Sequence, residues 1–179
     1  MPRYPKLESD LQFVSAFSKL HCANPISQMN ISSFAHKQLN RQGSQSNGCT
    51  VAERTSVDFV IDGKSLLESL VDVDGGHADY MGCFVKGYPD QSAKSNAALM
   101  LRGQSDSEGG RVLIYICPEC GDIGCGAYAV CISESQLGYL WESFAYVNDY
   151  EEPREVEGLG PFLFEKEEYE AVVRHAAAI

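Results

Sequence analysis

Four of the seven cysteines fall within fifteen residues, as Cys117-Pro-Glu-Cys120-Gly-Asp-Ile-Gly-Cys125 and then Cys131. A Cys-x-x-Cys followed by glycine aims two thiolates at one point and leaves room for backbone N–H groups near sulfur, which is the geometry of a zinc knuckle. Cys125 supplies a third ligand to such a centre. Cys131, Cys83 and His77 are the candidates for a fourth, although Cys131 falls inside an extended segment that carries it away from the turn. The same spacing also fits thiol redox chemistry, with Cys117 and Cys120 as the exchanging pair and Cys125 resolving. Against that, Gly121, Gly124 and Gly126 discourage the helix whose N-terminus usually activates such a thiol. A glycine-rich turn with space-filling cysteines is the third reading. The odd cysteine count, with no secretory-type leader in the first twenty residues, argues against a disulfide framework and leads to an expected cytoplasmic location.

Few other residues suggest chemistry. Asp72, Asp74 and Asp79 surround Gly75-Gly76-His77, but the spacing departs from a calcium loop and fits a solvated turn. His21, His36 and His175 have no acid–base partners in sequence. Phosphate loops, nucleophile elbows and His-Glu-x-x-His patterns are missing, so no enzyme is supported by motif.

Charge is the second informative feature. The 179 residues hold 14 Lys+Arg and 25 Asp+Glu, for a formal net charge of −11. Residues 1–50 carry +3, residues 51–110 carry −5 and residues 111–179 carry −9. Such acidity repels a phosphate backbone and favours a basic protein partner. Glu142, Asp149, Glu151, Glu152, Glu155 and Glu157 form the densest acidic stretch, and Trp141 beside them suits an interaction patch if it is exposed. Simple alternation over 139–147 puts Leu140, Glu142, Phe144 and Tyr146 on one face and Trp141, Ser143, Ala145 and Val147 on the other. No apolar run is long enough to span a bilayer.

The elements that must position these residues read as an α+β domain over 51–179, with residues 1–50 as a helical arm and linker. In the arm, Asp10 caps a helix carrying Leu11, Val14, Phe17 and Leu20, and Asn30 caps a second carrying Ile31, Phe34, Ala35 and Leu39. Arg41 to Gly48 reads as a polar linker. His21 to Met29 is too long for the turn of a DNA-binding helix pair. Val57, Phe59 and Ile61 alternate with Asp58, Val60 and Asp62 as in a half-buried strand. Ser65 and Glu68 form a capping box for a short helix through Val71. Segments 111–116, 127–133 and 139–147 are β-branched and aromatic with short connections, which predicts an antiparallel β-meander. A short extended piece at Phe162 to Phe164 then leads into a helix over about 165–177. Clustered strands packed with two or more helices define the α+β class.

The run 117–126, Cys-Pro-Glu-Cys-Gly-Asp-Ile-Gly-Cys-Gly, followed by Phe-Ala-Tyr-Val-Asn-Asp-Tyr-Glu-Glu-Pro at 144–153, resembles small bacterial proteins that sometimes carry an oxidoreductase label. The likeness covers roughly residues 56–175. It implies a bacterial origin and little mechanism. The leading functional expectation is a non-enzymatic acidic binding protein, such as an immunity-type protein neutralising a basic toxin, with a structural zinc turn. The alternative is a metal- or thiol-dependent oxidoreductase centred on that turn.

Overall fold

The computed structural model describes residues 29–103 and 109–179. Its architecture is α+β, with antiparallel sheets and three helices. Strand β1 (Phe34–Arg41) pairs antiparallel with β4 (Arg54–Ile61), in register from Phe34 opposite Ile61 to Arg41 opposite Arg54. The chain between them makes a small hairpin, β2 (Ser44–Ser46) and β3 (Cys49–Val51). After a tight turn, β5 (Lys64–Ser65) returns along β4.

The second sheet runs in the order β10 (Arg154–Glu155), β9 (Gly138–Val147), β8 (Ala127–Ser135), β7 (Val112–Ile116), β6 (Met81–Gly82), with β11 (Phe162–Phe164) also on β9. The consecutive β7, β8 and β9 are the expected meander. Helix α1 (Leu66–Asp74) begins as the capping box predicts, with Ser65 Oγ accepting from the Glu68 amide at 3.1 Å. Helix α3 (Lys166–Ala176) is capped by the Glu165 carboxylate, which accepts from the Glu168 amide at 2.8 Å. Helix α2 (Pro89–Leu99) lies where only a brief apolar run at 96–101 is recognisable. Its inward residues include Ser92 and Ser95, so its buried side lacks the large apolar stripe that marks a helix.

The expected helical arm is corrected from Ile31 onward. Ile31 to Leu39 forms a bridge and a strand rather than a helix, and Arg41 to Gly48 holds a strand end and a hairpin rather than a linker. An isolated helix of that length is marginal in water, whereas strand pairing puts Phe34 into the core. Phe34 packs on Phe59, Trp141, Phe164 and Tyr169, with ring centroids 4.5–5.4 Å apart. The boundary expected at residue 50 therefore falls within folded structure. The helix expected over Leu11 to Leu20 lies outside the described residues.

Trp141 is completely buried, so it is not part of an exposed partner patch. Its Nε1 donates to Tyr169 Oη at 3.1 Å, and that hydroxyl donates to the Leu99 carbonyl at 2.9 Å. The alternation expected along 139–147 is broken by a β-bulge. Ser143 adopts φ 53°, and the register slips between the Cys131–Glu142 and Ala129–Ala145 pairs. One inserted residue resets which side chains face inward, so Trp141 and Phe144 share the main core. Ala127, Ala129, Ala145 and Val147 form a second, smaller cluster with Leu113, Ile116 and Ile123.

A buried carboxylate links the layers. Asp58 on β4 accepts from Ser65 Oγ at 2.6 Å, from the Leu67 amide at 3.3 Å and from Tyr115 Oη on β7, and Lys37 Nζ lies 3.4 Å away. Burial and that carboxylate push the Tyr115 phenol well above its ordinary range. Among the described residues, no helix is long and apolar enough to cross a membrane.

Candidate metal centre and its surroundings

Strand β7 ends at Ile116 and delivers Cys117 directly into the turn. The turn closes through the Gly121 amide, which donates to the Cys117 carbonyl at 3.0 Å. Asp122 Oδ1 accepts from the Gly124 amide at 2.7 Å and caps a single 3₁₀ turn, Ile123–Cys125. Gly126 then enters β8 with φ 92°, and a Cβ there would lie 1.9 Å from Tyr146 Oη. Glycine is therefore required for the chain to leave the turn beneath Tyr146.

This path brings the sulfurs of Cys117, Cys120 and Cys125 within 4.8 Å of one another, a group that can hold a metal ion. Cys117 is half-buried, whereas Cys120 and Cys125 are exposed. Burial raises the Cys117 thiol, but backbone N–H donors from Cys120 and Glu119, together with the Cys120 and Cys125 thiols, hold it below its ordinary range. The Cys125 thiol is pushed up to about 11 by its sulfur neighbours, Cys120 and then Cys117. Tetrahedral Zn–S bonds of about 2.3 Å imply S···S separations near 3.8 Å. The Cys120–Cys125 separation is 3.3 Å, so a small opening of the turn accommodates the ion. Thiolate donors of this kind select soft or borderline metals over calcium or magnesium.

None of the expected fourth ligands joins the group among the described residues. Cys131 sits along β8, opposite Glu142 and beyond the turn. Cys83 is buried behind β6, where its amide donates to the Ile114 carbonyl. The His77 ring stacks on Tyr80 at 4.7 Å, and its Nδ1 accepts from the Asp79 amide. The aspartates around His77 do not form a cation loop either. Asp74 is paired with Arg154 and Tyr128, and Asp79 with Arg41. Each carboxyl is held below its usual range, mainly by the arginine that hydrogen-bonds it.

No local pattern marks Arg41, which stands at the start of a segment with the composition of a linker. Its guanidinium grips both oxygens of Asp79, at 2.6 and 2.7 Å, and Glu119 Oε1 at 2.6 Å, while donating to the Ala52 carbonyl at 2.9 Å. Glu119 belongs to the cysteine turn, so one arginine ties that turn to the His77 loop and to the end of β1. Its partners are 38 and 78 residues distant, and local spacing carries no sign of them.

The acidic stretch divides by role. Glu155 is ion-paired to Arg111, and Glu142 is half-buried on β9. Asp149, Glu151, Glu152 and Glu157 are exposed and form no ion pair among the described residues. Between the first three stands Tyr150, 82% exposed, which composition alone did not single out. Asn148 Oδ1 shapes this loop by accepting from the amides of Tyr150 and Glu151 at 2.8 and 2.9 Å. The loop lies against the cysteine turn: Tyr150 Oη and Asp149 Oδ2 are 3.4 and 3.5 Å from where a Cβ on Gly124 would stand.

No protein-family model matches this chain, and neither the curated proteins nor the solved structures contain a significant match.

Proposed function

We propose that the protein is a non-catalytic recognition module whose exposed acidic loop, Asp149-Tyr150-Glu151-Glu152, with Glu157 nearby, receives a basic protein, in the manner of an immunity protein that neutralises a toxin. The observation that carries this reading is Tyr150, exposed among unpaired carboxylates on a loop shaped by Asn148, with its hydroxyl end over the cysteine turn. A rigid aromatic ringed by one sign of charge is the composition of an interface hot spot with electrostatic steering. In the same reading the adjacent turn holds zinc through Cys117, Cys120 and Cys125. Zinc there, with water or a partner group in its fourth position, would cross-link the turn on which the loop rests.

Immobilised protein is expected to retain a basic partner at low salt and release it at high salt. The charge-reversed variant D149K/E151K/E152K is expected to retain none. Failure of the wild-type protein to hold any basic protein at low salt would end the proposal.

Thiol redox chemistry is a second reading, supported by the 3.3 Å Cys120–Cys125 contact and the lowered Cys117 thiol. Metal-free protein that reversibly loses two thiols to a mild two-electron oxidant would favour it over the zinc turn.

A further inference from the structure

A cleft of about 230 Å³ opens beside the cysteine turn, between the β6–β7 edge and the start of α2. Met81, Val85, Leu113 and Ile116 give it an apolar wall, Gln91 and Ser95 a polar one, and Arg54 and Tyr88 stand with them around the opening. Arg54 lies over the Tyr88 ring at 5.9 Å and gives one N–H to its neighbour's carbonyl, Glu53 O, at 3.0 Å. It forms no ion pair among the described residues. The one carboxylate lining the cleft, Glu119, is engaged by Arg41 and by the Ala52 amide and lies within the field of Arg54 without pairing to it. Helix α2 begins beside the cleft, but Asp90 in its first turn offsets the positive end of the helix dipole, so Arg54 is the cation that defines the site. A pocket that sets one cation beside an apolar wall is the form of a site for an anion with a hydrophobic body.

We propose that this cleft binds a small organic carboxylate with an apolar tail, its carboxylate on Arg54 and its tail against Met81, Leu113 and Ile116. The volume lies below the roughly 300–1,000 Å³ of sites for drug-sized ligands, so the occupant is a fragment-sized acid. The site does not involve the acidic loop, but Pro118, Glu119, Cys120 and Gly121 of the cysteine turn form part of its wall.

Amide NMR titration of the full chain with hexanoate, hexanol and hexylamine tests it. Hexanoate is expected to shift the amides of Gly82, Gln91 and Gly121 saturably, with Kd on the order of 1 mM. Hexanol and hexylamine should bind at least about tenfold more weakly, because neither can accept the guanidinium fork. Arg54→Gln should reduce hexanoate to the level of hexanol while leaving hexanol unchanged. The comparison of the three ligands on wild-type protein decides the matter even if that variant folds poorly. Equal binding of acid and alcohol, shifts confined to other surfaces, or no saturable shift up to roughly ten times the expected Kd would overturn the proposal.

Discussion

The aromatic core around Trp141 and the surface around the cysteine turn are held together by different physics. In the core, Phe34, Phe59, Phe144, Phe164 and Tyr169 surround a completely buried indole, and apolar burial with ring packing carries the stability. At the turn, the small alanine cluster beneath gives little apolar area, and order comes from directed contacts: Arg41 on Glu119, Asp122 on Gly124, and three converging sulfurs. Directed ionic contacts of the second kind respond to pH and salt, to which apolar packing is largely indifferent. The contrast sets a frame held by apolar burial against a surface region whose order rests on a few individual contacts.

The largest expected effect is in the core. Phe34→Ala or Trp141→Ala should cost about 3–5 kcal/mol in denaturant unfolding, since each leaves a cavity inside the aromatic cluster. A loss below about 1 kcal/mol for Phe34→Ala would mean that β1 is not a core strand. Next comes Gly126→Ala, which drives a Cβ into Tyr146 at a left-handed backbone position. It should destabilise by roughly 2–3 kcal/mol, and hydrogen exchange should show the loosening concentrated in residues 117–128. An effect spread evenly over both sheets would blur the distinction between the regions.

Arg41→Met should cost only about 1 kcal/mol, because Asp79 and Glu119 are both substantially exposed and solvent screens them. Its sharper signature is in pH dependence. The Asp74 and Asp79 carboxyls have folded values depressed by their arginine partners, so their contribution is present above the unfolded value near 4. It is lost as pH falls through the folded values. Stability should therefore decline below about pH 4, and Arg41→Met should flatten that decline, as acid titration of the unfolding midpoint would show. The smallest effect is expected from D149N/E151Q/E152Q, within about 0.5 kcal/mol of wild type in thermal unfolding, with partner retention weakened.

Legibility in the sequence follows the range of the interactions. The meander, the capping box at Ser65 and Glu68, the last helix and the three-cysteine cluster are all encoded within a few residues of one another, and the structure contains each of them. The first strand was not legible, because Ile31, Phe34, Ala35 and Leu39 fit a helical face as well as a strand. What decides is Phe34 meeting Trp141 more than a hundred positions later. The hairpin that replaces the expected linker did carry a local signal, Asn47-Gly48, with φ values of 51° and 79° suited to a two-residue turn. The bulge at Ser143 and the Arg41 clamp had none, the former because serine rarely marks such a conformation and the latter because its partners are remote.

The most direct test of the account is the metal content of the cysteine turn. Elemental analysis of protein purified without chelator, together with titration of the chelated protein, should find one zinc per chain, with Cys117→Ser weakening it at least about a hundredfold and hydrogen exchange at Tyr150 and Glu151 slowed when zinc is bound. Metal-free protein that takes up no zinc on titration, with the loop equally protected throughout, would contradict it.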